Sequence, residues 1–203
     1  MALDSYSSLK SSLQDWLQGR TDLATVSEDC IALAEADFNR TLRVREMETS
    51  STLTPSSGEA TLPTDYLAWR TVTALTDPRR ELEYVAPSYI EDEYGDREAG
   101  TPAFFTIRGS TILIVPYPTG NVRLDYFQKI PALSDANTSN WLLEAYPNLY
   151  LYQSLKHLAV YLDNDAAAQK YAGLANGAME ALTYDDSTAR FNRISARISG
   201  PTP

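Results

Sequence analysis

Between Leu3 and Gln18 apolar side chains recur three and four residues apart, at Tyr6, Leu9, Leu13, Trp16 and Leu17, which places them on one stripe of a helix closed by Gly19. A second helix is expected from Ser27. Its hydroxyl suits an N-cap, Glu28 and Asp29 meet the positive end of the dipole, and Val26 and Ile31 take the staple positions. That helix continues on one face through Ala34, Phe38 and Leu42 to about Arg43.

After Glu46 the period changes from helical to alternating, with Met47, Thr49, Ser51 and Leu53 set between polar neighbours. Pro55 to Gly58 reads as a turn, Trp69 to Thr76 and Glu81 to Val85 as strands about a turn at Asp77 and Pro78, and Ser88 to Tyr94 as a short helix. Ala103 to Ile107 and Thr111 to Val115 make the clearest hairpin, turning at Arg108, Gly109 and Ser110. In the strand Asn121 to Gln128, Val122, Leu124 and Tyr126 share one face. The whole middle block reads as one small antiparallel sheet.

Helical spacing returns near Ser139 and Asn140, and Pro147 suits the first turn of a helix carrying Leu149, Tyr152, Leu155, His157, Leu158, Tyr161 and Leu162. Asp165 is expected to cap an Ala-rich helix that buries Tyr171, Leu174, Ala175, Ala178 and Leu182. The expected fold class is therefore α+β. Residues 1–46 and 131–186 form a helical bundle, residues 47–130 an inserted antiparallel β region, and residues 187–203 an extended C-terminal arm. Arg190, Arg193 and Arg197 fall on one helical stripe of that arm, and Phe191, Ile194 and Ile198 on the adjacent one.

Charge sharpens this picture. The 203 residues carry a net charge of -10, which argues against gripping nucleic acid through phosphates, whereas the arm holds three arginines and no acid. Such an end is either a solvated terminus or a segment that docks into a partner's groove. Thirteen tyrosines stand against five phenylalanines and three tryptophans, a usage suited to half-wet interfaces. Tyr146, Tyr150 and Tyr161 are candidates for mixed core and subunit-interface packing. No stretch approaches the ~18 apolar residues of a membrane span, and no secretory leader pattern opens the chain, so a cytoplasmic site of synthesis is expected.

Signals for chemistry are sparse. One cysteine and one histidine cannot build a disulfide or a zinc site, and no metal or cofactor is expected. His157 sits among apolar neighbours on a helix and reads as structural. Cys30, placed at the third position of its helix, lies where the dipole lowers a thiol pKa, yet without a nearby second Cys or His it reads as a small core residue. Glu91, Asp92, Glu93, Asp96 and Glu98 lack the glycine and the spacing of a calcium loop and read as a solvated face. No phosphate-cradling glycine loop is present.

Five stretches together resemble the head-to-tail adaptor (connector) proteins of tailed bacteriophages: Ile31 to Thr54 (IALAEADFNRTLRVREMETSSTLT), Leu62 to Leu75 (LPTDYLAWRTVTAL), Gly100 to Gly109 (GTPAFFTIRG), Tyr126 to Leu162 and Thr188 to Arg197 (TARFNRISAR). They follow the family's order over most of the chain. The resemblance implies a virion protein of the neck, in a dodecameric ring below the portal. The C-terminal arm would reach the portal protein, a tail or stopper protein would bind elsewhere, and packaged DNA would pass through without sequence-specific binding. An acidic lumen fits this task, since a basic one would hold the duplex. Two other readings stay open: a different neck protein, such as a stopper or terminator, and an acidic hydrolase using carboxylates among Asp92, Glu93 and Asp96.

Overall fold

Ser5 and Ser8 open the first helix, α1 (Tyr6–Trp16), by a reciprocal capping box in which each side chain accepts from the other's backbone N–H. The computed structural model describes residues 3–17, 21–95 and 99–191 of the chain. Two compact units emerge, Met1–Arg45 with Ile130–Pro203, and Glu46–Lys129. On α1, Tyr6, Leu9 and Leu13 are buried, whereas Trp16, expected on the same stripe, is largely exposed. The second helix, α2 (Ala24–Thr41), starts earlier than Ser27, because a 3-10 turn over Thr21–Leu23 leads straight into it. Ser27 is therefore not the N-cap. Its buried hydroxyl instead donates to the Leu23 carbonyl at 2.8 Å, the back-bond that a serine makes inside a helix.

Among the described residues of the middle unit are eight strands and one α-helix: β1 (Glu48–Leu53), β2 (Glu59–Thr61), β3 (Tyr66–Ala74), β4 (Arg80–Glu81), β5 (Glu83–Tyr84), α3 (Pro87–Glu93), β6 (Phe104–Arg108), β7 (Thr111–Val115) and β8 (Val122–Gln128). They make two four-stranded sheets, ordered β1-β8-β3-β4 and β2-β7-β6-β5, where one sheet was expected. The difference starts at Leu82. The run Glu81 to Val85 is not one strand: Glu81 pairs with Thr73 in the first sheet, Glu83 pairs in parallel with Phe104 in the second, and Leu82 is buried between them with its N–H on the Val72 carbonyl at 2.8 Å. Both sheets feed one core, with Val72, Val122 and Leu124 from the first and Phe105, Ile112 and Ile114 from the second.

The β6–β7 hairpin turns through Gly109 at φ 58°, a conformation that glycine adopts without a Cβ clash. Gly58 (φ 79°) has a second constraint, since a Cβ there would run into the Tyr117 ring and the Ile114 carbonyl. Val122, Leu124 and Tyr126 of β8 are buried in alternation, as their period of two demands.

The helical unit resumes with α4 (Trp141–Ala145), capped by Asn140, whose side chain accepts from the Leu143 N–H at 2.9 Å. Then come α5 (Pro147–Tyr161), with proline at its start, and α6 (Asp165–Phe191). Asn164 rather than Asp165 caps α6, accepting from the Ala167 N–H at 3.1 Å, while Asp165 sits in the first turn. α2 and α6 each pack along α5 rather than along one another. Of the expected α6 face, Ala175, Ala178 and Leu182 are buried and Tyr171 is half-buried. Leu174 is 41% exposed, a correction: it lies at the edge of the stripe of Ala175, Ala178 and Leu182 that is buried against α5. Among the described residues no helix is long and apolar enough to cross a membrane.

Candidate assembly surfaces

The last turns of α6 are held by acids. α6 continues past Asp186 to Phe191, so the first residues assigned to the arm extend this helix. Arg190, in its last turn, donates from Nε to Asp186 Oδ2 at 2.7 Å, and Asp186 Oδ1 accepts the Arg45 N–H at 3.0 Å. Beside it, the Tyr146 hydroxyl donates to Asp185 Oδ2 at 3.1 Å. The turn that follows α2 and the start of α5 thus both meet the last turns of α6. Arg193, Ile194, Arg197 and Ile198 lie outside the described residues.

Structure separates the three candidate tyrosines. Tyr161 is 61% exposed at the end of α5, and Tyr146 is half-buried. Tyr150 is fully buried in its own chain and has no surface to offer a neighbour. Its hydroxyl donates to Glu35 Oε1 at 3.2 Å and accepts from Asn140 Nδ2 at 2.8 Å, while its ring meets Phe38 edge-on at 5.1 Å. The same Glu35 oxygen accepts the Leu133 N–H at 2.8 Å. Burial raises the Glu35 carboxyl against the pull of these two donors and pushes the Tyr150 phenol far above its ordinary range.

His157 is tied to a neighbouring helix. Its Nε2 lies 2.8 Å from Asp37 Oδ2, which also accepts from Lys156 Nζ at 2.9 Å and Gln153 Nε2 at 2.6 Å. Burial alone would raise the Asp37 carboxyl, but the hydrogen bonds from Lys156 and His157 outweigh it and hold it below the usual range. For His157, burial outweighs the bond to Asp37 and holds the imidazole below its ordinary 6.5. Both groups bind protons less readily folded than unfolded, so their contributions are present above the unfolded values and lost as pH falls. Stability should accordingly start to decline below about pH 6.5, and His157→Gln should flatten that first decline. Urea midpoints measured from pH 8 to 5 check this, and an unchanged slope in the variant would count against it.

Cys30 lies seven residues into α2 rather than three, beyond the reach of the dipole. Burial, with Asp29 adding to it, pushes its thiol up to about 11. The folded protein is expected to resist a thiol reagent at pH 8 and to react fully in denaturant, and rapid labelling of the native state would contradict this.

Among the described residues the acids of the hydrolase reading form no shared pocket. Asp92 and Glu93 are exposed on the seven-residue α3, Glu91 pairs with Arg108, and Asp96 lies outside the described residues. Among the described residues no group of three His, Cys, Asp or Glu side chains is placed to hold a metal ion.

Other surfaces escaped the sequence reading. Trp69 of β3 stacks on Tyr84 of β5, ring centroids 5.7 Å apart, and both remain well exposed over Phe105. On the helices, Leu33 of α2 is 51% exposed and Tyr184 of α6 is 71% exposed. A tryptophan inside a strand or a leucine inside an amphipathic helix reads as core in the sequence, and only the packing of its neighbours reveals that it faces out. Apolar side chains left on several faces of a folded chain suit a part that works between partners.

Comparison with known proteins bears on the same point. No curated protein matches the chain. The family model described as SU10 adaptor protein matches residues 4–198, which takes in most of both compact units. A match of that extent carries with it a virion structural role among phage head and tail components, and the chain belongs to the SU10 adaptor protein family.

Proposed function

We propose that the protein is a non-enzymatic neck adaptor. Copies assemble side by side through their helical bundles into a closed ring, twelvefold to match the portal. The C-terminal arm binds the portal by inserting Phe191, Ile194 and Ile198 while its outer arginines pair with portal acids. The β unit meets a tail or stopper protein, and packaged DNA slides through an acidic lumen that does not hold it.

The observation that supports this reading best is the family match over residues 4–198, which reaches the far end of the arm's two stripes. The root of the arm agrees with it. Arg190 is already paired with Asp186 in the last turn of a 27-residue helix, so the proposed portal pairing falls to Arg193 and Arg197. Ring closure is expected to depend on concentration or on the portal as template, because an adaptor that closed early could not be added in order. Isolated portal rings mixed with the purified chain should acquire a second ring visible by electron microscopy. A chain that stays monomeric on portals would contradict the proposal.

A further inference from the structure

We infer that the ring contact is made by two different outer faces, that of α6 on one copy against that of α2 on the next. This inference rests on the ring reading above and names the surfaces that build it. α2 and α6 flank α5, each packed along it, so their outward faces lie on separate flanks of the helical unit. They also run in the same direction, because Phe38 near the end of α2 packs on Tyr150 near the start of α5, and Tyr146 at that start donates to Asp185 in the last turns of α6.

The two faces match in spacing. The exposed stripe of α2 is Asp29, Leu33, Ala36 and Arg40; that of α6 is Lys170, Leu174, Gly177 and Ala181, with Glu180 beside the last. Both step by four, three and four residues, the heptad spacing at which two near-parallel helices keep side chains in contact. Laid in the same direction, the two four-three-four stripes set Leu174 opposite Leu33, Gly177 opposite Ala36, Lys170 opposite Asp29, and Ala181 with Glu180 opposite Arg40.

Charge complementarity selects this occupant. α6 carries its cation first and its acid last, and α2 carries its acid first and its cation last, so helices running the same way bring unlike charges together at both ends. A slip of one turn preserves that polarity. Among the described residues neither Lys170, Asp29 nor Glu180 makes an ion pair within its own chain. Gly173 and Gly177 fit the same contact. An added Cβ at either would meet nothing within 4 Å, so the chain's own packing does not require glycine there, although glycine inside a helix costs about 1 kcal/mol relative to alanine. A second helix lying against this face, with the small Ala36 at the level of Gly177, would supply the close approach that glycine permits. Because the two faces differ, each copy offers one to either side, the arrangement that closes into a ring.

The test uses the full-length chain carrying both Leu33→Cys and Leu174→Cys, two exposed positions whose replacement spares the core. Under mild oxidation the assembled protein should give a ladder of disulfide-linked multimers on a non-reducing gel. A chain with Leu33→Cys and Tyr184→Cys should not, since position 184 lies about 15 Å further along the helix. Lys170→Glu or Asp29→Lys alone should weaken assembly about tenfold, and the two together should restore it. Ring formation without a ladder, or dimers from Leu33→Cys alone, would overturn the inference and leave the ring standing. Failure of the unmodified chain to assemble even on portals would remove the ring reading itself.

Discussion

A chain ending at Phe191 is expected to fold like the full chain and to lose its attachment to portal rings. The cut spares all of α6, including the Arg190–Asp186 pair and the Asp186 bond to the Arg45 N–H, so the meeting of its last turns with the turn that follows α2 and the start of α5 stays intact. It removes Arg193, Ile194, Arg197 and Ile198. Burying two isoleucines is worth roughly 1.5–3 kcal/mol each, and every 1.4 kcal/mol is about tenfold in affinity. A loss of at least a hundredfold is therefore expected before any contribution from the two arginines. Co-sedimentation with purified portal rings, with circular dichroism of the truncated chain as the folding control, measures it. Undiminished binding would show that the portal is held elsewhere.

The largest stability effect is expected from Phe38→Ala. Phe38 is fully buried on α2 and packs edge-on against Tyr150, so its removal leaves a cavity that helices held at both ends cannot close. Such a truncation costs about 3–5 kcal/mol. The damage extends further, because the Phe38 ring helps hold Tyr150 where its hydroxyl reaches both Glu35 and Asn140. Tyr150→Phe should cost less, about 1–3 kcal/mol, since it keeps the ring and leaves Glu35 with only the Leu133 N–H. Chemical denaturation of both variants gives the ordering, and a milder effect for Phe38→Ala than for Tyr150→Phe would contradict this packing account.

Periodicity made the helices and the main strands legible, because burial against one neighbour imposes a period of 3.6 or 2 on the side chains that carry it. Val122, Leu124 and Tyr126 are a clear case. Local chemistry without long-range context misled at Ser27, where a good capping residue sits inside a helix that a 3-10 turn had already started. Leu82 failed for a similar reason: nothing in the run Glu81 to Val85 announces that its two halves pair in different sheets. The three-residue β2 is too short to show alternation at all.

The C-terminal cluster of arginines could be read directly against an acidic background. Assigning Tyr150 to the interior could not, because its partner Glu35 reads as a surface acid until the fold brings the two together. Leu174 was the opposite case. It is apolar and close in phase to the buried face, but whether such a residue is covered depends on how far its neighbours reach around the helix, and they cover Ala175, Ala178 and Leu182 and leave Leu174 out.

Adaptor function finally depends on place. A density map of the neck from intact particles, at side-chain resolution, tests it most directly. The expected map holds a closed ring of this chain immediately below the portal, with residues beyond Phe191 seated against portal subunits. Infectious particles whose genome-exit vertex lacks this chain would contradict the account.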